Sequence, residues 1–109
     1  MRAHTILGPG LLESVYEECL CHELSRAGLK FGRQVDAPIH YKGVQLSTGL
    51  RIDLLVEETV VVEVKSVDAI LPVHKAQLLS YMRLTGKRLG LLINFNVAHL
   101  RDGISRRIL

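Results

Sequence analysis

Arg51-Ile52-Asp53-Leu54-Leu55-Val56-Glu57-Glu58-Thr59-Val60-Val61-Val62-Glu63-Val64-Lys65 reads as two aliphatic, β-branched runs separated by three polar residues. That is the grammar of a β-hairpin. If residues 57–59 form the whole loop, Val56 faces Val60, and the same register sets Asp53 opposite Glu63 and Arg51 opposite Lys65. Side chains alternate along a strand, so Asp53, Glu63 and Lys65 are expected on one face of the sheet. Opposed Cβ atoms lie ~4.5–5.5 Å apart, so two carboxylates converge within a segment whose neighbours look buried on both faces.

Opposed like charges cost stability, and a cation resolves the conflict. Two carboxylates with open coordination positions suit Mg²⁺ or Mn²⁺, hard ions that prefer oxygen and retain several waters. The expected metal ligands are Asp53, Glu63 and the backbone carbonyl of Val64, with Lys65 one step along the same face to orient water or steady a phosphate oxygen. The competing reading makes Glu63 and Lys65 decoration on a solvated face, with Asp53 paired to Arg51 or Lys65. Two acids that share a buried site favour the functional reading.

Outward from the hairpin, residues 10–27 place Leu12, Val15, Tyr16, Cys19, Leu20 and Leu24 at helical spacing, with Gly28 as the stop and Glu13, Glu17 and Glu18 in the dipole-favoured first half. Residues 30–41 read as an outer strand, Lys42-Gly43 as a turn, and residues 44–56 as the strand that enters the hairpin. Pro72 opens a second helix that ends before Gly86; residues 88–95 form a fourth, buried strand, and residues 98–109 suggest a last short helix. The order predicts an α/β (mixed α+β) fold, αβββαβ, in which a right-handed crossover joins the third and fourth strands of a mixed four-stranded sheet. Gln77 and Tyr81 stand i, i+4 on the second helix with His74 one turn earlier, and all three are expected to face the substrate. Glu13 and Tyr16 stand i, i+3 on the first helix, and Glu13 is expected to reach the sheet edge.

At 109 residues and 48% hydrophobic, the chain is expected to form one domain, residues 1–109, with a largely aliphatic core. No stretch approaches the ~20 apolar residues of a membrane span, and residues 1–10 are too short on apolar sequence for a signal peptide, so a cytoplasmic protein with no membrane partner is expected. Cys19 and Cys21 are too close for a helical disulfide and do not share a face for one metal, so they read as reduced, partly buried thiols. The net charge of +3, with clusters at Arg83, Lys87 and Arg88 and at Arg101, Arg106 and Arg107, permits nucleic-acid binding without requiring it.

Gly10-Leu11-Leu12-Glu13-Ser14-Val15-Tyr16 resembles the G-x-x-E-x-x-Y signature of the GxxExxY proteins, a branch of the PD-(D/E)XK nuclease superfamily. Asp53 followed by Glu63-Val64-Lys65 resembles that superfamily's D…E-x-K core, and Gln77-x-x-x-Tyr81 the Q-x-x-x-Y motif of its RecB-like branch. The resemblance covers about residues 8–105, and the order and spacing of the motifs are more specific than any one alone. It implies a restriction-endonuclease-like αβββαβ core with divalent metal at Asp53 and Glu63. It also implies that Lys65 assists the attacking water, Glu13 supports the site, and Gln77 and Tyr81 line it. Family members usually carry a longer helix before the glycine-rich turn, whereas nine residues precede Gly10 here.

These readings converge on a Mg²⁺- or Mn²⁺-dependent nuclease that hydrolyses phosphodiester bonds, with DNA ahead of RNA as substrate and room left for a homodimer. The alternatives are a nuclease fold kept as a nucleic-acid or protein interaction platform, with slow or absent hydrolysis, and a structural partner in a larger complex. A complete acid–acid–lysine set argues against the platform reading, and metal-dependent stabilisation would separate the nuclease from the structural partner.

Overall fold

The computed structural model describes residues 7–109; residues 1–6 of the stretch examined for a signal peptide lie outside the described residues. Helix α1 spans Glu13–Arg26 and ends in a Schellman arrangement: Gly28 adopts φ +76°, its N–H bonds to Ser25 O at 3.0 Å, and Leu29 N–H to Leu24 O at 3.0 Å. Strand β1 (Phe31–Ala37) follows and stops where Pro38 removes a ladder donor.

The expected outer strand over residues 30–41 and the entering strand over 44–56 are each broken in two. His40–Tyr41 (β2) and Val44–Gln45 (β3) form a separate hairpin whose turn places Lys42 at φ +51° and Gly43 at +79°. Strand β4 begins only at Leu50 and runs to Val56, antiparallel to β1. Gly49 marks the break, because a Cβ there would lie 2.9 Å from Ala37 O.

Strand β5 (Val60–Lys65) pairs antiparallel with β4 through Leu54–Val62, Leu55–Val61 and Val56–Val60, the register the three-residue loop required. Helix α2 (Pro72–Thr85) starts on its proline and ends at Gly86, φ +70°; it carries the chain to β6 (Leu89–Asn94), parallel to β5. The tail corrects the sequence expectation. After a single 3₁₀ turn (Leu100–Gly103), Ile104–Ile108 form β7, antiparallel to β6. Ile104 and Ile108 satisfy helical spacing, but residues four apart share a face of a strand as well, and the open edge of β6 supplies the hydrogen bonds that decide it. The main sheet therefore has five strands rather than four, in the order β1-β4-β5-β6-β7.

The two helices cover opposite faces. Tyr16 and Cys21 of α1 pack with Leu54, Val62, Val64, Ile93 and Phe95; Leu78 and Met82 of α2 pack with Ala37, Ile52, Val61 and Leu92. Gly90 lets α2 settle onto β6, since a Cβ there would meet Met82 Sδ at 2.5 Å. Central β5 is buried on both faces, which explains its unbroken aliphatic sequence and makes Glu63 exceptional within it. No helix is long and apolar enough to cross a membrane among the described residues.

Candidate active site

Ile52 and Leu54 are two residues apart and should share a face of β4, yet Ile52 belongs to the α2-side cluster and Leu54 to the α1-side cluster. The strand therefore turns over at Asp53. Beyond Leu54–Val62 the β4–β5 ladder opens, and the acids fill the gap. Asp53 Oδ2 accepts the Val64 N–H at 2.8 Å, and Glu63 Oε1 accepts the Asp53 N–H at 3.4 Å. Opening the ladder also corrects the predicted Arg51–Lys65 opposition. Arg51 pairs instead with Asp36 on β1, and its Nε lies 3.3 Å from Asp36 Oδ1 in a solvent-exposed ion pair.

Glu63 is 4% exposed, and its carboxyl is pushed up to about 8, first by burial and then by the charge of Asp53. Asp53 is raised as well, by burial first, while the Val64 N–H opposes the shift. A third oxygen faces the same gap. Lys65 gives its carbonyl to the Phe95 N–H at 2.9 Å, so Lys65 is turned toward β6, and the alternation of a strand turns Val64's N–H and C=O toward β4. Two carboxylates and a carbonyl, with positions left for water, make an all-oxygen donor set that fits a hard divalent cation and would offset the burial of the acids. Among the described residues no group of three or more His, Cys, Asp or Glu side chains could hold a metal ion, so such a site depends on the Val64 carbonyl and on water.

Helix α2 supplies the opposite wall. Lys65 Nζ donates to Gln77 Oε1 at 3.5 Å, and Gln77 Nε2 donates to the Tyr81 hydroxyl at 2.8 Å. The i, i+4 spacing thus produces a continuous chain from Lys65 to Tyr81. Burial raises the Tyr81 pKa, with Glu63 and Asp53 adding to the rise, so the phenol remains a donor. His74 does not join this chain. Its Nδ1 accepts the Leu71 N–H at 2.9 Å and serves the helix start. Glu13 begins α1 exposed to solvent and makes no hydrogen bond or ion pair among the described residues.

Three further residues hold the frame: Tyr16, which the sequence marks as the signature tyrosine, and Asn94 and Glu17, to which the sequence assigns no role in the site. Tyr16 is fully buried and stacks on Phe95 (centroids 4.6 Å apart, planes 11° apart). Its hydroxyl donates to Gly8 O and accepts the Leu11 N–H, while Ser66 Oγ donates to Leu11 O at 2.6 Å. The glycine-rich turn is thereby tied beside the end of β5. Asn94 is 3% exposed and clamps the backbone of Val67 through Val67 N–H to Oδ1 (3.1 Å) and Nδ2 to Val67 O (3.0 Å). Glu17 is buried and accepts from Arg33 and Gln34, although its position suggested only a dipole-complementing acid. The available signal was its place on the apolar stripe, three and four residues before Leu20 and Cys21.

Three members of the basic clusters lie away from the acids. Arg106 and Arg107 pair with Leu91 and Gly90, and Arg88 bonds the Leu109 carbonyl, all near the beginning of β6, whereas Lys65 aligns with Asn94 at its end. An open cleft of about 630 Å³ between the β1 and β4 ends and the β3–β4 loop is lined by Asp36, Gln45, Ser47 and Arg51 and includes neither Asp53 nor Glu63. Cys19 and Cys21 are free thiols, as expected.

The family model of the PD-(D/E)XK nuclease superfamily matches residues 1–107. The chain belongs to that superfamily. Its five-stranded mixed sheet, with one helix on each face, is consistent with a restriction-endonuclease-like fold. No curated protein and no solved structure matches the chain. PD-(D/E)XK nucleases act on nucleic acid and typically use divalent metals.

Proposed function

We propose that this PD-(D/E)XK chain is a divalent-metal-dependent nuclease of the GxxExxY branch that hydrolyses phosphodiester bonds in DNA, using Mg²⁺ or Mn²⁺. The observation that carries the reading is the buried Asp53–Glu63 pair at the opened end of the β4–β5 ladder, with Lys65 beside it. Glu63, Asp53 and the Val64 carbonyl would hold the cation, which when bound neutralises charge on the phosphate and activates water.

The remaining chemistry belongs to the side chains. Gln77 accepts one proton of the Lys65 ammonium and leaves two to direct at a phosphate oxygen or the attacking water. Water forms the new P–O bond and gives up a proton, one bridging P–O bond breaks, and the leaving oxygen takes up a proton and is released as an alcohol. Tyr81, kept protonated, offers a neutral donor at the wall of the site. Buried Tyr16, tying the glycine-rich turn beside Ser66, supports the GxxExxY reading, because its hydroxyl and ring each have a distinct use. Glu13 is then the acid of that signature, available to the site from the first turn of α1.

The test is incubation of the purified chain with labelled single- and double-stranded DNA and RNA, with Mg²⁺, Mn²⁺ or a chelator. Metal-dependent DNA cleavage by wild type, lost in Asp53→Asn and Glu63→Gln, is the expected result. Metal-dependent binding without cleavage would move the chain to the interaction-platform reading.

A further inference from the structure

The nuclease reading leaves two residues near the acids unused, and both sit in costly settings. Glu17 is a charged side chain only 5% exposed, a state such residues occupy chiefly when paired. Gln34 holds φ +53° in the middle of β1, a left-handed conformation that glycine adopts with far less strain.

The strain marks a kink shared by two strands. Arg33 reaches Glu17 on the α1 side, whereas Val35, two residues on, packs with the α2-side cluster. Ile52 and Leu54 divide between the same two sides. The turnover in each strand falls at Gln34 and at Asp53, and these two are the pair missing from an otherwise continuous β1–β4 register. The kink turns Asp53 inward to the β4–β5 gap.

Hydrogen bonds then tie the kink to α1. Gln34 Nε2 donates to Glu17 Oε1 at 2.8 Å and to Asp53 Oδ1 at 3.4 Å, while Arg33 Nε holds Glu17 Oε1 at 2.9 Å. An amide NH₂ has two protons, so both bonds can form together. Each Asp53 oxygen thus has a donor, Gln34 on Oδ1 and the Val64 N–H on Oδ2, and each keeps lone pairs for a cation. Partners of this kind orient a ligating carboxylate and strengthen metal binding.

We infer that Glu17 and Gln34 are positioning residues, the Glu17-anchored carboxamide of Gln34 fixing the Asp53 carboxylate to receive a divalent cation. The inference rests on the metal-dependent reading of the site. Glycine at position 34 separates positioning from folding, because it relieves the strained φ while removing the carboxamide. The experiment is Mn²⁺ titration by calorimetry, with melts in chelator, on wild type, Gln34→Gly and Glu17→Gln. Gln34→Gly should melt at or above wild type and bind Mn²⁺ about 10–100-fold more weakly, with cleavage falling more at limiting than at saturating Mn²⁺. Gln34→Gly with wild-type Mn²⁺ affinity overturns the inference while the metal site stands. Glu17→Gln should weaken Mn²⁺ in the same direction, and wild-type affinity there removes Glu17 from the proposal. Wild type that binds no Mn²⁺ overturns the metal reading itself, and this inference with it.

Discussion

Asp53 Oδ2 accepts the Val64 N–H at 2.8 Å, the hydrogen bond that a continued β4–β5 ladder would give to the Ile52 carbonyl. A side chain thus replaces main chain at the position where two acids must meet. The exchange leaves the sheet open at one end, and it brings the Asp53 carboxylate into the plane between the strands, next to Glu63. The site is therefore a controlled failure of strand pairing rather than an addition to a regular hairpin.

The pH dependence of stability follows from Glu63, raised from 4.5 to about 8. Across that window the folded chain keeps a proton that the unfolded chain has released, so this contribution to stability is full below pH ~4.5 and is lost as pH rises through ~8. Each tenfold change in proton affinity is about 1.4 kcal/mol, so the loss should reach a few kcal/mol. Urea melts of the metal-free protein from pH 5 to 9, with Glu63→Gln beside wild type, test the sign. The difference between the two should widen toward alkaline pH in favour of the variant, and a constant difference would show that Glu63 does not hold the extra proton.

Tyr16→Phe keeps the stack on Phe95 and removes the hydroxyl that bonds Gly8 O and the Leu11 N–H. Stability should fall by about 1–2 kcal/mol. Hydrogen exchange should quicken at Leu11 before it does in β5. Unchanged protection at Leu11 would mean that the turn is held by Ser66 alone.

Asn94→Ala strips partners from the Val67 N–H, the Val67 carbonyl and the Asn96 N–H together. A loss on the order of 2 kcal/mol in chemical denaturation is expected, because the orphaned groups lie partly buried. The segment after Lys65 should loosen as well, which would lower activity beyond what the melt predicts. Wild-type activity in a destabilised Asn94→Ala would separate that clamp from the site.

The Glu57-Glu58 turn carries two non-glycine residues at φ +53° and +59°. Asn-Gly suits that left-handed pair, so Glu57→Asn with Glu58→Gly should stabilise by about 1 kcal/mol, or a Tm rise of roughly 4–8 °C. Mn²⁺ affinity should not change, since the turn lies at the far end of the hairpin from Asp53. A shift in affinity would reveal coupling along β4 and β5.

Much of this was legible in the chain because local pattern and tertiary need agreed. The three-residue loop correctly gave the hairpin register from Leu54 to Val56, and Pro72 and Gly86 bounded α2. Simple alternation could not reveal where the ladder stops, because the kink at Gln34 and Asp53 depends on a cross-strand partner and on Glu17 from another element. The role of Asn94 was equally hidden, since the Val67 backbone it clamps lies far away in sequence. The tail misled for a different reason: Ile104 and Ile108, four residues apart, share a face in a helix and in a strand alike, and only the vacant edge of β6 distinguishes the two.

The central claim is that Asp53 and Glu63 are a cation site held in mutual repulsion, and thermal melting at pH 8 of wild type and Glu63→Gln, with and without Mn²⁺, tests it most directly. The account predicts that metal-free Glu63→Gln melts above wild type, since the variant removes a buried charge opposed to Asp53. Mn²⁺ should raise only the wild-type Tm, by about 2.7 kcal/mol of added stability at a hundredfold excess over its Kd. Glu63→Gln melting well below wild type in chelator, with Mn²⁺ shifting neither protein, would contradict the account and make Glu63 a structural partner of Lys65.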